Sequence, residues 1–276
     1  MIVTDCHIHL MTAGAPCDPG ALNARMQQAG ISGGILLSLP PAAFPFLTPP
    51  TAFPRRLENV LDWTRHQPAL HPFFWIDPTE PDAVEQVAQC VQAGIEGFKV
   101  ICNHFAPGDS RAMRTFRCIA SAGRPILFHS GILWDGMVSS PFNRPAEFEA
   151  LLDVPRLRFA LAHIAWPWCD ELIAVFGKFL NAASLRGSEA PVMFVDTTPG
   201  TPEIYREDAL HKLFFTGYPV EHRVVFGLDC RAENYDVHWS RIWLERDRSI
   251  LAKLKVDPAT AEAYFGGNLD RFIKGD

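Results

Sequence analysis

At 276 residues, with 48% hydrophobic and 20% charged side chains, the chain has the make-up of a globular protein with ample core. A formal net charge of −6, with no lysine- or arginine-rich run, argues against a nucleic-acid footprint. No apolar stretch approaches the roughly 20 residues that span a bilayer. An acidic residue and two histidines arrive before any apolar signal region could form, so no secretory leader is expected. The seven cysteines (Cys6, Cys17, Cys90, Cys102, Cys118, Cys169, Cys230) are scattered, odd in number and form no C-x-x-C pair. That pattern suits free thiols in a reducing cytosol.

The first element is a strand. The apolar run 1–3 leads into Asp5-Cys6-His7-Ile8-His9, and residues two apart on a strand share a face. His7 and His9 therefore project together, half of a divalent-metal site, with Ile8 turned into packing. Asp18 and Pro19 read as the start of a helix over 21–29, ended by Gly30. A buried strand over 34–39 follows, then a proline-dense segment, 40–54, long enough to be a lid or binding loop. Next come a helix over 55–66 and a strand over 72–76, a helix over 79–93 and a strand over 95–101. The pattern continues with a helix over 111–122 and a strand over 125–129, then a short helix over 146–152 and a strand over 157–163. Helix 170–180, strand 192–196, helix 203–215 and strand 223–229 complete it, with a longer helix from His238 and one or two more after Pro258.

Eight apolar runs alternating with helices predict an α/β fold, a single (β/α)8 TIM barrel over 1–276. The later half is nearly metric: His129 to His163 is 34 residues, His163 to Asp196 is 33, and Asp196 to Asp229 is 33. In such a barrel the C-terminal strand ends share one mouth, where the chemistry is placed. Here those ends are His9, Lys99, His129, His163, Asp196 and Asp229. A lone histidine at a strand end is ordinarily a hydrogen-bonded structural residue. Several ionisable groups converging on one rim are costly unless they bind something.

A histidine pair closing strand one, single histidines closing strands five and six and an aspartate closing strand eight resemble the amidohydrolase superfamily. Within it, the chain is similar to the amidohydrolase-related branch of metal-dependent hydrolases and non-oxidative decarboxylases. The resemblance covers essentially the whole chain, including Gly266-Gly267-Asn268-Leu269-Asp270-Arg271-Phe272, similar to the segment that ends this branch. It implies that His7, His9 and His129 bind a divalent metal through nitrogen. It further implies that Asp229 is a carboxylate ligand or the general base, and that His163 is a ligand of a second metal or a proton donor beside a single one. Three nitrogens and an oxygen suit zinc, with manganese or iron as alternatives. Lys99 stands where binuclear relatives carry a carboxylated, bridging lysine. A mononuclear centre is nevertheless expected, with Lys99 paired with a neighbouring carboxylate or holding a substrate anion.

Around the mouth, His104, Trp134, Trp166 and Arg231 are expected to bind substrate as an aromatic-walled pocket with an arginine for a carboxylate. Ordinary loop packing is the competing account of the tryptophans. Cys230 and Leu228 depart from the family's usual residues on either side of Asp229. The expected activity is metal-dependent hydrolysis of a small ester, lactone or amide. Non-oxidative decarboxylation of a small acid is the alternative, and a non-catalytic metal- or ligand-binding barrel a remote one. A small-molecule substrate, no nucleic acid, no membrane and a cytoplasmic location are expected, and a homo-oligomer is left open.

Overall fold

The computed structural model describes residues 1–45, 47 and 49–275. Strand and helix alternate as β1 (Thr4–His9), α1 (Pro19–Ala29), β2 (Gly33–Leu37), α2 (Phe53–Thr64), β3 (Leu70–Trp75), α3 (Ala83–Gln92), β4 (Gly97–Val100), α4 (Ser110–Ser121) and β5 (Ile126–Phe128). They continue as β6 (Arg158–Leu161), α5 (Cys169–Arg186), β7 (Val192–Asp196), α6 (Glu203–Phe215), β8 (Val224–Val225), β9 (Cys230–Arg231), α7 (Val237–Leu254), α8 (Pro258–Glu262) and α9 (Asn268–Lys274). Each strand pairs in parallel with the next, in the order β8-β7-β6-β5-β4-β3-β2-β1-β9. β8 and β9 are two pieces of one eighth barrel strand. β8 pairs with β7, the Cys6 N–H donates to the Phe226 carbonyl at 3.0 Å, and β9 pairs with β1. The sheet thus closes on itself as a (β/α)8 barrel.

Alternation along the strands divides the core into two layers. Ile35, Leu37, Phe73, Leu127, Ala160, Phe194 and Val225 face the barrel interior. Leu36, Phe74, Phe98, Ile126, Phe128, Phe159, Leu161 and Val195 face the helices. Continuing the inward parity toward the mouth brings Lys99, His129 and Asp196 onto the same wall as these interior side chains. β1 switches parity at an irregularity: Cys6 joins the interior layer, the register with β2 shifts between Asp5 and Ile8, and His7 and His9 then face the mouth. Close approach of β2 is possible because residue 34 is glycine; a Cβ there would lie 2.0 Å from the Asp5 carbonyl oxygen.

The opposite end of the barrel is plugged by α9, whose Leu269, Phe272 and Ile273 join the interior layer. Asn268 locks it in place, donating through Nδ2 to the carbonyls of Glu221 (2.9 Å) and Val224 (2.8 Å). Here the glycine-rich C-terminal segment has a structural role: Gly266 packs on the Ile2 carbonyl, where a Cβ would come within 2.5 Å. A buried network ties the same region to β7. Arg206 pairs with both oxygens of Asp247 (2.9 and 2.6 Å) and donates to the Thr197 carbonyl, while Tyr264 donates to Asp247 at 2.6 Å.

Several elements differ from expectation. The first strand begins at Thr4, not in the apolar run before it, whose Met1 and Ile2 are exposed. The expected short helix over 146–152 is a 3-10 turn, Pro145–Asp153. Helix α3 starts later than residue 79, beyond Pro81, and α5 runs on to Arg186. Among the described residues, no helix is long and apolar enough to cross a membrane, and all seven cysteines are free.

Removing Asp247 strands a buried guanidinium, so Asp247→Ala should lower unfolding free energy in urea by about 3–5 kcal/mol. The double replacement Arg206→Met, Asp247→Leu should cost clearly less than that single change. Equal losses would mean the pair's charge is not what matters.

Candidate metal centre

At the mouth, His7 and His9 leave β1 on the same side, as the strand period requires. The ring of His7 is oriented from behind. Its Nδ1–H donates to Asp196 Oδ2 at 2.9 Å, leaving the Nε2 lone pair facing the cavity. Asp196 is itself held, accepting from the Thr198 N–H at 2.6 Å. On the cavity side, Lys99 Nζ donates to His7 Nε2 at 3.2 Å. His9 Nε2 lies 3.4 Å from Asp229 Oδ1, and His7 Nε2 lies 3.9 Å from the same oxygen.

Asp229 sits in the break between β8 and β9, in the left-handed region at φ 58°. The residues before it are fixed by Asp5, whose carboxylate accepts from the Leu228 N–H (2.8 Å), the His7 N–H (3.0 Å) and the Tyr235 hydroxyl (3.0 Å). One buried carboxylate therefore sets the backbone on both sides of the site. His163 is placed by a second departure from ordinary backbone. His163, Ile164 and Ala165 have φ of 60°, 45° and 51°, turning the chain sharply after β6. Gly200 packs on the result, since a Cβ there would meet the His163 Cβ at 2.8 Å.

Burial, reinforced by the charge of Lys99 and by the neighbouring imidazoles, holds His7 and His129 well below the ordinary histidine range. Burial likewise lowers His163, against the pull of Asp229. These rings are neutral, with lone pairs available. Burial pushes the Asp229 carboxyl up, but the His9 hydrogen bond and the imidazoles of His7 and His163 outweigh it and hold it below the usual carboxylate range. Lys99, fully buried, is pushed down to about 8.

His7, His9 and Asp229 each offer one ligand atom, and the three atoms lie within 4.8 Å of one another. Two imidazoles and a carboxylate at that spacing are a donor set that fits one divalent cation. The fit is supported by His9 Nδ1 and His163 Nδ1, both buried without a protein partner. His129, expected as the third nitrogen, is brought to the site but does not join this group. β5 ends one residue earlier, and the following turn sets the Ile132 carbonyl 3.3 Å from His129 Nε2. His163 stands between the two, its ring centroid 5.2 Å from His7 and 4.9 Å from His129.

These groups open on a cavity of about 360 Å³ that Lys99, Trp134, Trp166 and Arg231 also line. His104, expected there too, does not line it. Its Nδ1 is engaged by Asn103 Oδ1 at 2.6 Å, and its Nε2 is directed at Thr79 and Asp77. Asn103 in turn donates to the Ala43 carbonyl, fastening the proline-dense segment to the rim. Phe44 and Leu47 of that segment line the cavity, and Phe44 packs on Trp75 at 4.9 Å. Its residues 46 and 48 lie outside the described residues. Sequence reasoning gave no role to Asp5 or Asp196. Asp196 carried a signal, a charge closing an apolar strand in register with the histidines, but its partner is 189 residues away.

A family model described as amidohydrolase matches residues 4–272. No curated protein matches the sequence. Among solved structures, an amidohydrolase from Burkholderia multivorans with bound HEPES superposes with a TM-score of 0.64 at 12% identity, covering 99% of each chain. An amidohydrolase 2 from Bifidobacterium longum subsp. infantis gives 0.60 at 15%, covering 100% of each chain. Dihydroorotase from Campylobacter jejuni gives 0.60 at 15%, covering 98% of this chain and 82% of that one. At such identities these structures speak to the fold.

Asp196→Asn removes the carboxylate that selects the His7 tautomer. Zinc affinity measured by competition with a chromophoric chelator should fall by about 10–100-fold with the fold retained. Unchanged affinity would show that His7 needs no such support.

Proposed function

The chain belongs to the amidohydrolase family, and from that premise we propose that it is a metal-dependent hydrolase of a small ester, lactone or amide. One observation carries the reading: the His7, His9 and Asp229 ligand atoms converge within 4.8 Å on the floor of a cavity large enough for a small substrate. These three residues would hold one divalent ion, zinc first, with manganese or iron as alternatives. His129 lies beside them; with its Nε2 on the Ile132 carbonyl, Nδ1 is the nitrogen it has left to offer. When bound, such an ion polarises a carbonyl and lowers the pKa of water from about 15.7 toward 7. A second ion bridged through a carboxylated Lys99 is the less favoured arrangement.

The chain's own residues do the rest. Asp229 is ionised and faces the cavity, 38% exposed, so its carboxylate oxygen can take the proton of the attacking water. Water adds to the carbonyl carbon, and the bond to the alcohol or amine breaks to give an acid and the protonated leaving group. His163, neutral and beside both His7 and His129, would donate a hydrogen bond to the carbonyl oxygen and pass a proton to the leaving group. Trp134 and Trp166 wall the cavity, and Arg231 at its rim can pair with a substrate carboxylate.

That arginine favours a second reading, non-oxidative decarboxylation of a small acid on the same residues. Product analysis separates the two: acid release from lactones, esters or amides against carbon dioxide release from aromatic acids. Seven free thiols support a reducing cytosolic location.

Protein purified without chelator should carry about one equivalent of zinc or manganese, lost when His7 and His9 are both replaced by alanine. Two equivalents would move the reading to a bridged pair, and none, even after reconstitution, would remove it. With metal present, Asp229→Asn should lower kcat/KM by about 10²–10⁴-fold. Turnover at the native rate would show that Asp229 is not the base.

A further inference from the structure

The cavity draws two kinds of surface from two kinds of element. Strand ends and the residues just past them supply most of its polar groups, His7, His9, Lys99, His129, His163 and Asp229, with Asp135 added from the loop after β5 and Arg231 from β9. The loops supply its apolar ones, Phe44 and Leu47 after β2, Ile132, Leu133 and Trp134 after β5, and Trp166 after β6. The apolar surface does not stop at the mouth. Beyond Trp134, which is 80% exposed, the same loop carries Met137 and Val138 at 60% and 89%. Across from it, Trp166 packs on Tyr205 with ring centroids 6.2 Å apart, and Tyr205 and its neighbour Ile204 are themselves exposed.

Single exposed apolar residues are ordinary, but a run of them continuing out of a cavity marks a surface that is covered in use. The one carboxylate of the loop, Asp135, lies at the inner end of this run and lines the cavity; its Oδ1 accepts from the Met137 N–H (3.0 Å) and the Ser139 hydroxyl (2.8 Å), and its Oδ2 is buried without a protein partner. Arg231 lies on β9, part of the eighth barrel strand, three places round the sheet from β5.

Resting on the hydrolase reading for its carbonyl end, the geometry points to a substrate class: an ester or lactone bearing an apolar arm. Its carbonyl sits at the strand ends, and the arm lies along the loop after β5, over Trp134 and out toward Val138. A purely polar or compact substrate would leave that loop uncovered. Beyond Trp134 the exposed side chains of the run are Met137 and Val138, so the arm's contribution there is set by the length of apolar chain removed from water.

The test uses metal-loaded protein and two homologous series. Binding of 2-alkanones, from butanone to decanone, is read by calorimetry, because a ketone offers the carbonyl but no leaving group. Turnover is read on p-nitrophenyl esters from acetate to octanoate. The expected result is a Kd that tightens by about two- to fourfold per methylene, with kcat/KM rising in step. Trp134→Ala combined with Val138→Ser, both at exposed positions, should flatten the two slopes. A Kd independent of chain length, or slopes unchanged in the double variant, overturns the assignment. A dimer that falls apart in the double variant with its slopes intact would instead give the patch to a second copy of the chain. Ketones that bind with the expected slope while no ester turns over would sink the hydrolase reading and leave the arm site standing. Esters that turn over without regard to length would do the reverse.

Discussion

The Asp5 carboxylate is the contact on which the site depends. It is fully buried, yet it accepts from the backbone of His7 on the first strand, from the backbone of Leu228 on the last and from the Tyr235 hydroxyl beyond. Burial pushes its carboxyl up to about 7, and those three donors, chiefly the two backbone N–H groups, pull the other way. An interaction that closes the barrel is thus the same one that spaces His7 against Asp229. Without a Cβ at Gly34, β2 can approach the Asp5 carbonyl and complete the seam.

Above an interior filled by Leu127, Ala160, Phe194 and Val225, the barrel changes within one inward-facing position from hydrocarbon to imidazole, amine and carboxylate. Such a layer survives because its members partner one another: Asp196 with His7, His7 with Lys99, His9 with Asp229. Its geometry also draws on strained backbone. Asp229 and the run His163–Ile164–Ala165 lie at positive φ, each at a cost of order 1–3 kcal/mol, and Ile164 is β-branched. Dense packing around these residues, all buried except Asp229, holds them there.

The same division of labour explains the cavity. Rigid strands carry the groups whose distances matter for chemistry, and longer connections carry the apolar surface that meets the rest of a substrate. The proline-dense segment after β2 is a case in point, since Phe44 and Leu47 reach the cavity while Asn103 pins the backbone at Ala43.

Local pattern alone determined much of this protein. Apolar runs of strand length, alternating with helix-length periodicity, specified the barrel, because each strand is buried on both faces and must read as hydrocarbon. Charged residues closing those runs marked the mouth, and the two-residue period put His7 and His9 on one face. Tertiary structure decided what depends on distance between elements. It showed that the eighth strand breaks to present Asp229, that His129 is turned on the Ile132 carbonyl, and that His104 answers to Asp77 and Thr79 instead of the cavity. It alone paired Asp196 with His7 and gave Asp5 its three donors. The physical reason is common to all of them: a side chain's neighbours along the chain set its direction, but its partner is whichever group the closed sheet brings within 3 Å or so, and closure is a property of all eight strands together.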